Sequence, residues 1–186
     1  MSLGLVLGFG LALMRLSRFS VVRGTAWVYT WVMRGTPHLL QLVFIFNALP
    51  AVGIRLDSFT TAVIGFGLNQ AAFSAESIRG GILSINKQQS VAAASLGMGP
   101  FTTIWRIVLP QALSTILPGV FNDIINLLKL TSIASIIFVS ELTFRSQQIV
   151  GQNFQFFTVF AAAGTIYLFM TSILSVLQGR VEFAMN

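Results

Sequence analysis

The sequence predicts an all-α, polytopic membrane protein with about five transmembrane helices, the first of them incomplete. Three observations carry that expectation. Charged residues are 9% of the chain and apolar residues 55%, where a water-soluble domain carries roughly 25% charged residues. The apolar residues fall in long blocks, and the mean hydropathy is +0.83. The basic residues are distributed unevenly between those blocks. With so few charges the chain cannot cover a soluble core with polar surface, so its solvent is lipid. Such blocks cross hydrocarbon as helices, because an open strand would leave backbone groups unpaired.

The blocks follow in order. Met1 to Met14 is apolar and precedes Arg15 and Arg18. A signal peptide places its charge before the apolar run and a small-residue cleavage site after it. Here the order is reversed, so cleavage is not expected. A full span needs about 20 residues, and this run reads as the last two-thirds of a helix beginning upstream. Thr36 to Val52 holds LLQLVFIFNALPAV, and Ser58 to Ser77 is the next block. Ile107 to Val139 exceeds one span and carries Pro110, Pro118 and a polar interruption from Asn122 to Thr131, which predicts a broken fourth segment. Phe154 to Leu177 is the least interrupted, and Arg180 to Asn186 is too short for a domain.

Orientation follows from the basic residues. Arg15, Arg18, Arg23 and Arg34 precede the second block, Arg79, Lys87 and Arg106 surround the connection between the third and fourth, and Arg180 follows the fifth. Arg55 and Arg145 lie on the opposite side. The larger group is cytoplasmic by the positive-inside rule, which puts the N-terminus outside and the C-terminus inside. Trp27, Tyr29 and Trp31 fall near the first cytoplasmic connection, where amphipathic rings favour the interface. Gly65, Gly67 and the run Ala161 to Gly164 suit close helix contacts. The seventeen phenylalanines read as packing and lipid-facing residues.

Several functions are excluded. The chain has no cysteine and one histidine, His38, with no second histidine or acidic neighbour at ligand spacing, so no metal site is expected. The net charge of +6 comes from single basic residues between apolar blocks rather than a nucleic-acid-binding patch. No phosphate-cradling loop, activated nucleophile or carboxylate pair is present, and no catalytic or cofactor-binding residue is expected in this chain.

The longest cytoplasmic segment, about 80–106, contains INKQQSVAAASLGMGPFTTIWRIVLP. Val91 to Leu96 favours a short helix, and Gly97, Gly99 and Pro100 end it. Spacing alone leaves two readings, an ordinary connector and a surface that another protein approaches closely.

This segment resembles the signature of importer-type ABC permeases. There a Glu-Ala-Ala triplet is followed by a glycine four residues on and then by an apolar-Pro pair. The matching residues are Val91, Ala92, Ala93, Gly97, Leu109 and Pro110. RGTPHLLQL at 34–42, AESIRGGILSI at 75–85 and LLKLTS at 127–132 are similar to the polar amino-acid branch, the histidine, glutamine and arginine permeases. The resemblance covers nearly the whole chain. It departs at Val91, where the family has Glu, and at Leu130, where the family commonly has Asp.

The resemblance implies a single permease domain over 1–186, in a bacterial cytoplasmic (inner) membrane, that translocates polar amino acids. ATP would be bound and hydrolysed by a separate cytoplasmic ABC ATPase dimer. Val91, Ala92, Ala93, Gly97, Arg106 and Pro110 would form the coupling region that docks on it. A second permease subunit, identical or different, would complete the pathway, and an extracytoplasmic amino-acid-binding protein would deliver the solute. Polar groups at membrane depth are costly unless they face a partner or a water-filled cavity. Asn122, Asn126 and Lys129 share a helical face with Asp123 beside them, Asn69 and Glu76 share another, and Gln70, Ser74 and Ser77 form a second line. They either pair helix to helix or line a substrate path; Glu76 and Arg79 also suit a local i, i+3 pair. Val91 and Leu130 motivate an alternative, a non-transporting or degenerate subunit that scaffolds a partner.

Overall fold

Small residues decide how the helices assemble. The computed structural model describes residues 1–185, and every regular element among them is helical; Asn186, the end of the short C-terminal segment, lies outside the described residues. The central element is α4 (Ser58–Ser84), whose Gly65, Gly67, Ala71, Ala72, Ser74, Ala75 and Gly81 are all buried. Small side chains let helix backbones approach closely where lipid supplies no hydrophobic drive between helices. Four helices use that surface: α1 (Ser2–Arg15), α2 (Ser20–Gly35), α3 (His38–Ala51) and α7 (Leu109–Leu130).

On α1, Gly4, Gly8 and Ala12 recur every four residues and form its buried stripe. A methyl group added at Gly8 would lie 2.8 Å from Ser74 Cβ and 3.0 Å from the Ala71 carbonyl. Gly81 of α4 is closed by Ile116 of α7 in the same way. These two helices run antiparallel, with Ser77 donating to Asp123 at 3.3 Å and Ser84 to Thr115 at 3.4 Å. Between α1, α4 and α7 lies a core of Ala12, Ala75, Ile78, Ala112, Ile116 and Val120. A second core joins Leu42, Ala62, Ala134 and Ile137.

The ends of α4 are set by local chemistry. Asp57 caps its start, accepting from Thr60 N at 3.0 Å and from Thr60 Oγ1 at 2.6 Å. These bonds, the Thr60 hydroxyl first, hold the Asp57 carboxyl below its ordinary range. Beyond α4, Asn86 caps α5 (Lys87–Ser95) by accepting from Gln88 N. The chain then enters α6 (Pro100–Thr103), which continues through a π-helical turn, Ile104–Val108, into α7. Pro110 causes that widening: it has no N–H to offer the Arg106 carbonyl, and the Leu109 N–H reaches back five residues to Ile104 O. After α7 a 3₁₀ stretch, Thr131–Ile137, ends at Phe138 with φ +64°. Two helices complete the chain: α8 (Leu142–Asn153), capped by Glu141, and α9 (Phe156–Met185), which packs on α7 and α8. Much of α9 stays uncovered, including Phe157, Leu168 and Phe169.

Several sequence expectations change here. By length and hydropathy alone two helices qualify as membrane spans, Pro100–Ile137 and Phe156–Phe183, so the expected count of about five rests on the shorter or more polar helices. At 27 residues, α4 measures about 40 Å at the helical rise, but buried Asn69, Gln70 and Ser74 dilute its hydropathy. α1 and α3 have 14 residues each. The fourth segment is intact through Asn122 to Leu130 and breaks only at Thr131; Pro118 sits inside the helix without ending it. Ser20–Gly35, expected as part of a connection, is helical, as is Leu142–Asn153. Tyr29 anchors α2 by donating to Leu68 O at 2.7 Å, whereas Trp27 and Trp31 stack on each other and remain exposed. Gly65 and Gly67 make their close contacts, with Leu42 and Leu3. In the run Ala161 to Gly164 only Ala163 is buried, and Gly164 faces open space.

Candidate functional site

The antiparallel α4–α7 pair places the middle of one helix against the second half of the other. There the chain encloses a cavity of about 350 Å³ lined by His38, Gln70, Phe73, Asp123, Asn126, Lys129 and Leu130. The volume falls within the roughly 300–1,000 Å³ of small-molecule sites. On α7, Asp123, Asn126 and Lys129 recur every three residues and so share a face. Gln70 and Phe73 do the same on α4. His38 enters from the first turn of α3, just after Pro37.

The polar groups are held in different ways. Gln70 Nε2 donates to Ser74 Oγ at 3.1 Å, which turns its carbonyl end outward from that bond. The Asp123 carboxylate accepts from Ser77 Oγ. Asn126 and Lys129 are exposed to the open side. The Phe73 ring meets two groups: the His38 ring stacks on it at 5.6 Å and the Arg34 guanidinium lies 5.4 Å from its centroid. Arg34 itself lines a neighbouring cavity of about 320 Å³ with Arg15, Thr30, Trp31 and Glu76.

The predicted path residues therefore separate into two groups. Gln70, Asp123, Asn126 and Lys129 meet at one cavity. Asn122 is exposed and not part of it, because a step of one residue turns it about 100° away from Asp123. Asn69 is 2% exposed, and its amide donates to Met33 O and Gln41 Oε1, clasping α2 and α3 to α4. Its Oδ1 is buried without a hydrogen-bond partner. Glu76 forms the local pair with Arg79 at 2.8 Å and a second one with Arg15 at 3.0 Å. Both its oxygens are engaged by arginines, so it ties α1 to α4.

His38 and Phe73 were not foreseen at this site. His38 was set aside as a lone histidine, and Phe73 as one of many packing rings. A signal for Phe73 was available, since it stands three residues from Gln70 and four from Ser77 on the polar side of α4.

At the other end of α4, the Ile85–Gly99 connection presents α5. Its C-terminus is a Schellman closure, with Gly97 N–H donating to Ala94 O at 2.9 Å and Met98 N–H to Ala93 O at 3.0 Å. Gly97 has φ +77° and open space around it. Ala93 is buried, while Val91 is 65% exposed and Leu96 82%. The expected short helix, stopped by glycine, is therefore present, with Ala93 packed inward and Val91 and Leu96 uncovered. Arg106 and Pro110 lie instead on the helix that follows, Arg106 in the π-helical turn, which packs against α5.

Comparisons with known proteins agree on one kind of protein. Residues 4–186 match the family described as "Binding-protein-dependent transport system inner membrane component". The chain is 39% identical over 180 residues to the L-cystine transport system permease protein TcyB of Bacillus subtilis, covering 96% of this chain and 77% of that protein. It is 37% identical over 185 residues to the glutamine transport system permease protein GlnP of Escherichia coli, covering 98% and 84%. It superimposes on a crystal structure of an amino acid ABC transporter with histidines at a TM-score of 0.93 and 34% identity, covering 98% of this chain and 86% of that one. An inward-facing MetNI methionine ABC transporter shares the fold, at a TM-score of 0.82 and 18% identity, over 100% of this chain and 88% of its own.

Proposed function

Since the chain belongs to the family of binding-protein-dependent transport system inner membrane components, we propose that it passes polar amino acids through the cavity between α3, α4 and α7. It is a membrane permease subunit of an ABC importer and not an enzyme; permeases of this kind work with a partner ATPase. The relatives do not favour the scaffold alternative.

One observation carries the solute reading. The cavity brings a carboxylate, Asp123, and an ammonium, Lys129, together with the amide side chains of Gln70 and Asn126. A free amino acid presents the complementary pair, an α-ammonium and an α-carboxylate. Charges at membrane depth are costly and mark solute paths, and a site with both signs neutralises a zwitterion without leaving a net buried charge. The names of the relatives, which include cystine and glutamine permeases, support the same solute class.

The rest of the assembly follows from that reading. The chain forms one domain that crosses the inner membrane five times: α1, α2 with α3, α4, the helix from Pro100, and α9. The basic residues place α5 on the cytoplasmic side, the N-terminus outside and the C-terminus inside. The exposed face of α5, with Val91, Ala92, Leu96 and the Gly97 turn, docks on the ATPase, which binds the ATP; Ala93 is buried beneath that face. A second permease subunit completes the path, and an extracytoplasmic binding protein supplies the solute. Movement of the ATPase halves rocks the helices between outward- and inward-facing states.

The test is to reconstitute the complex with Asn126→Ala or Lys129→Met. Uptake falls at least about tenfold, about 1.4 kcal/mol, while the subunits still purify together. Normal uptake by both variants would move the path elsewhere.

A further inference from the structure

The charges around the cavity also bear on which amino acids it takes, provided the cavity is the amino-acid path proposed above. We infer that the site accepts amino acids with uncharged side chains and discriminates against cationic ones.

Charge is unevenly supplied by the helices that face the cavity. α7 supplies one carboxylate and one ammonium, Asp123 and Lys129. Both are consumed by the backbone charges of a bound amino acid. α4 contributes Gln70 and Phe73, and its carboxylate, Glu76, opens onto the neighbouring cavity with its two oxygens held by Arg15 and Arg79. α3 contributes His38. α2 contributes a further positive charge, the Arg34 guanidinium on the Phe73 ring. Among the described residues Arg34 makes no hydrogen bond to a carboxylate.

A cationic side chain would therefore find no carboxylate of this chain left to pair with, and the Arg34 charge close by on the Phe73 ring. An unpaired charge in a partly desolvated site is disfavoured. An acidic side chain must share Lys129 with the α-carboxylate and lie against Phe73 and Leu130, with the Arg34 charge beyond the ring. An uncharged side chain meets neither obstacle. Phe73 and Leu130 can pack on its carbon atoms, while Gln70, Asn126 and His38 can hydrogen-bond a polar tip.

Leu130 is the position where this balance can be reset. It lines the cavity next in sequence to Lys129, and it is half-buried on α7. Leu130→Asp adds the missing carboxylate without touching Asp123 or the α4 contacts.

The experiment is equilibrium binding of radiolabelled L-glutamine, L-glutamate and L-arginine to the permease–ATPase complex in lipid nanodiscs, with the binding protein left out so that its own selectivity does not intervene. In the wild type, glutamine binds most tightly and arginine at least about tenfold more weakly, a gap of about 1.4 kcal/mol. Leu130→Asp narrows or inverts that gap. Arginine or glutamate binding as well as glutamine, with Lys129→Met abolishing the binding, overturns the side-chain inference and leaves the cavity in place. Glutamine binding that survives both Asp123→Asn and Lys129→Met removes the cavity reading itself. Binding of none of the three to the wild type counts against both.

Discussion

Gly8 and Gly10 lie two residues apart on α1, and the same substitution at each should have opposite effects. A Cβ at Gly8 lies 2.8 Å from Ser74 Cβ, 3.0 Å from Ala71 O and 3.2 Å from Ala75 N. Ordinary carbon contacts lie at about 3.5–4.0 Å. Two of these three atoms are backbone of α4, so neither can swing aside. Gly8→Ala must push α1 away from α4 by several tenths of an ångström along the whole stripe. Overpacking of this kind costs about 1–3 kcal/mol, offset in part by the 0.5–1 kcal/mol or so that alanine gains over glycine in a helix. Gly10 has nothing within 4 Å, so Gly10→Ala keeps the helical gain alone. The two variants should differ by about 1–3 kcal/mol. At about 2–4 °C per kcal/mol for a chain of this size, their melting temperatures in detergent should straddle the wild type and differ by roughly 2–12 °C. Equal shifts, or a more stable Gly8→Ala, would refute the close approach of α1 to α4.

Two further predictions concern charge. Glu76→Gln leaves Arg15 and Arg79 facing each other with no carboxylate between them, where the Arg15 and Glu76 side chains are both 16% exposed. Breaking a buried pair costs about 3–5 kcal/mol, and the partial exposure of Arg79 reduces this to about 2–3 kcal/mol; an unchanged melting temperature would show that the triad contributes nothing. Asp57→Ala removes the α4 cap and lowers thermal stability at neutral pH. Because the Asp57 pKa is lowered by folding, its contribution is present above the ordinary carboxylate range and is lost as the pH falls through the lowered value. The deficit of the variant should therefore shrink in acid, and a pH-independent deficit would show that the carboxylate is not the cap.

How far the fold could be read depended on whether a single helix carried its own signal. α9 and the long helix from Pro100 announced themselves because their neighbours are largely lipid, so apolar length alone described them. α4 was located, but its last turns, beyond Ser77, were lost because Arg79 and Gly80 looked like the start of a loop. α2 was missed for a related reason: Arg23, Thr25 and Arg34 break its apolar run, and it is held by the buried Ala26 and Thr30, by a tyrosine bond to Leu68 O and by the Asn69 clasp, none of which has a local signature. The interruption expected at Asn122 to Thr131 was a misreading of polar residues that line a cavity as residues that end a helix.

The same distinction explains the site. Gln70, Asp123, Asn126 and Lys129 were visible as polar groups where lipid would exclude them. Their meeting at one cavity depends on α4 and α7 packing antiparallel through Gly81 and Ile116, a pairing that no helix shows alone. Asn69 and Glu76 carried the same polar signal, yet they clasp helices together. Residue type identifies that a polar group needs a partner; only the packing says whether the partner is a helix or a solute. His38 lacked even that signal, and Phe73 offered only its spacing from Gln70 and Ser77 on α4.

Coupling of the permease to a separate ATPase through α5 turns on Gly97. Its φ of +77° and the open space around it mean that Gly97→Asp strains one turn by roughly 1 kcal/mol without disturbing the packing of α4 or α7. The wild type and this variant are expressed with the partner ATPase, extracted in mild detergent, and compared for retained ATPase and for ATP-driven uptake after reconstitution. Both chains should insert and fold, the wild type should hold the ATPase and import, and the variant should do neither. A variant that keeps the ATPase and transports normally would contradict coupling through α5, and a folded wild type that never holds the ATPase would contradict the account as a whole.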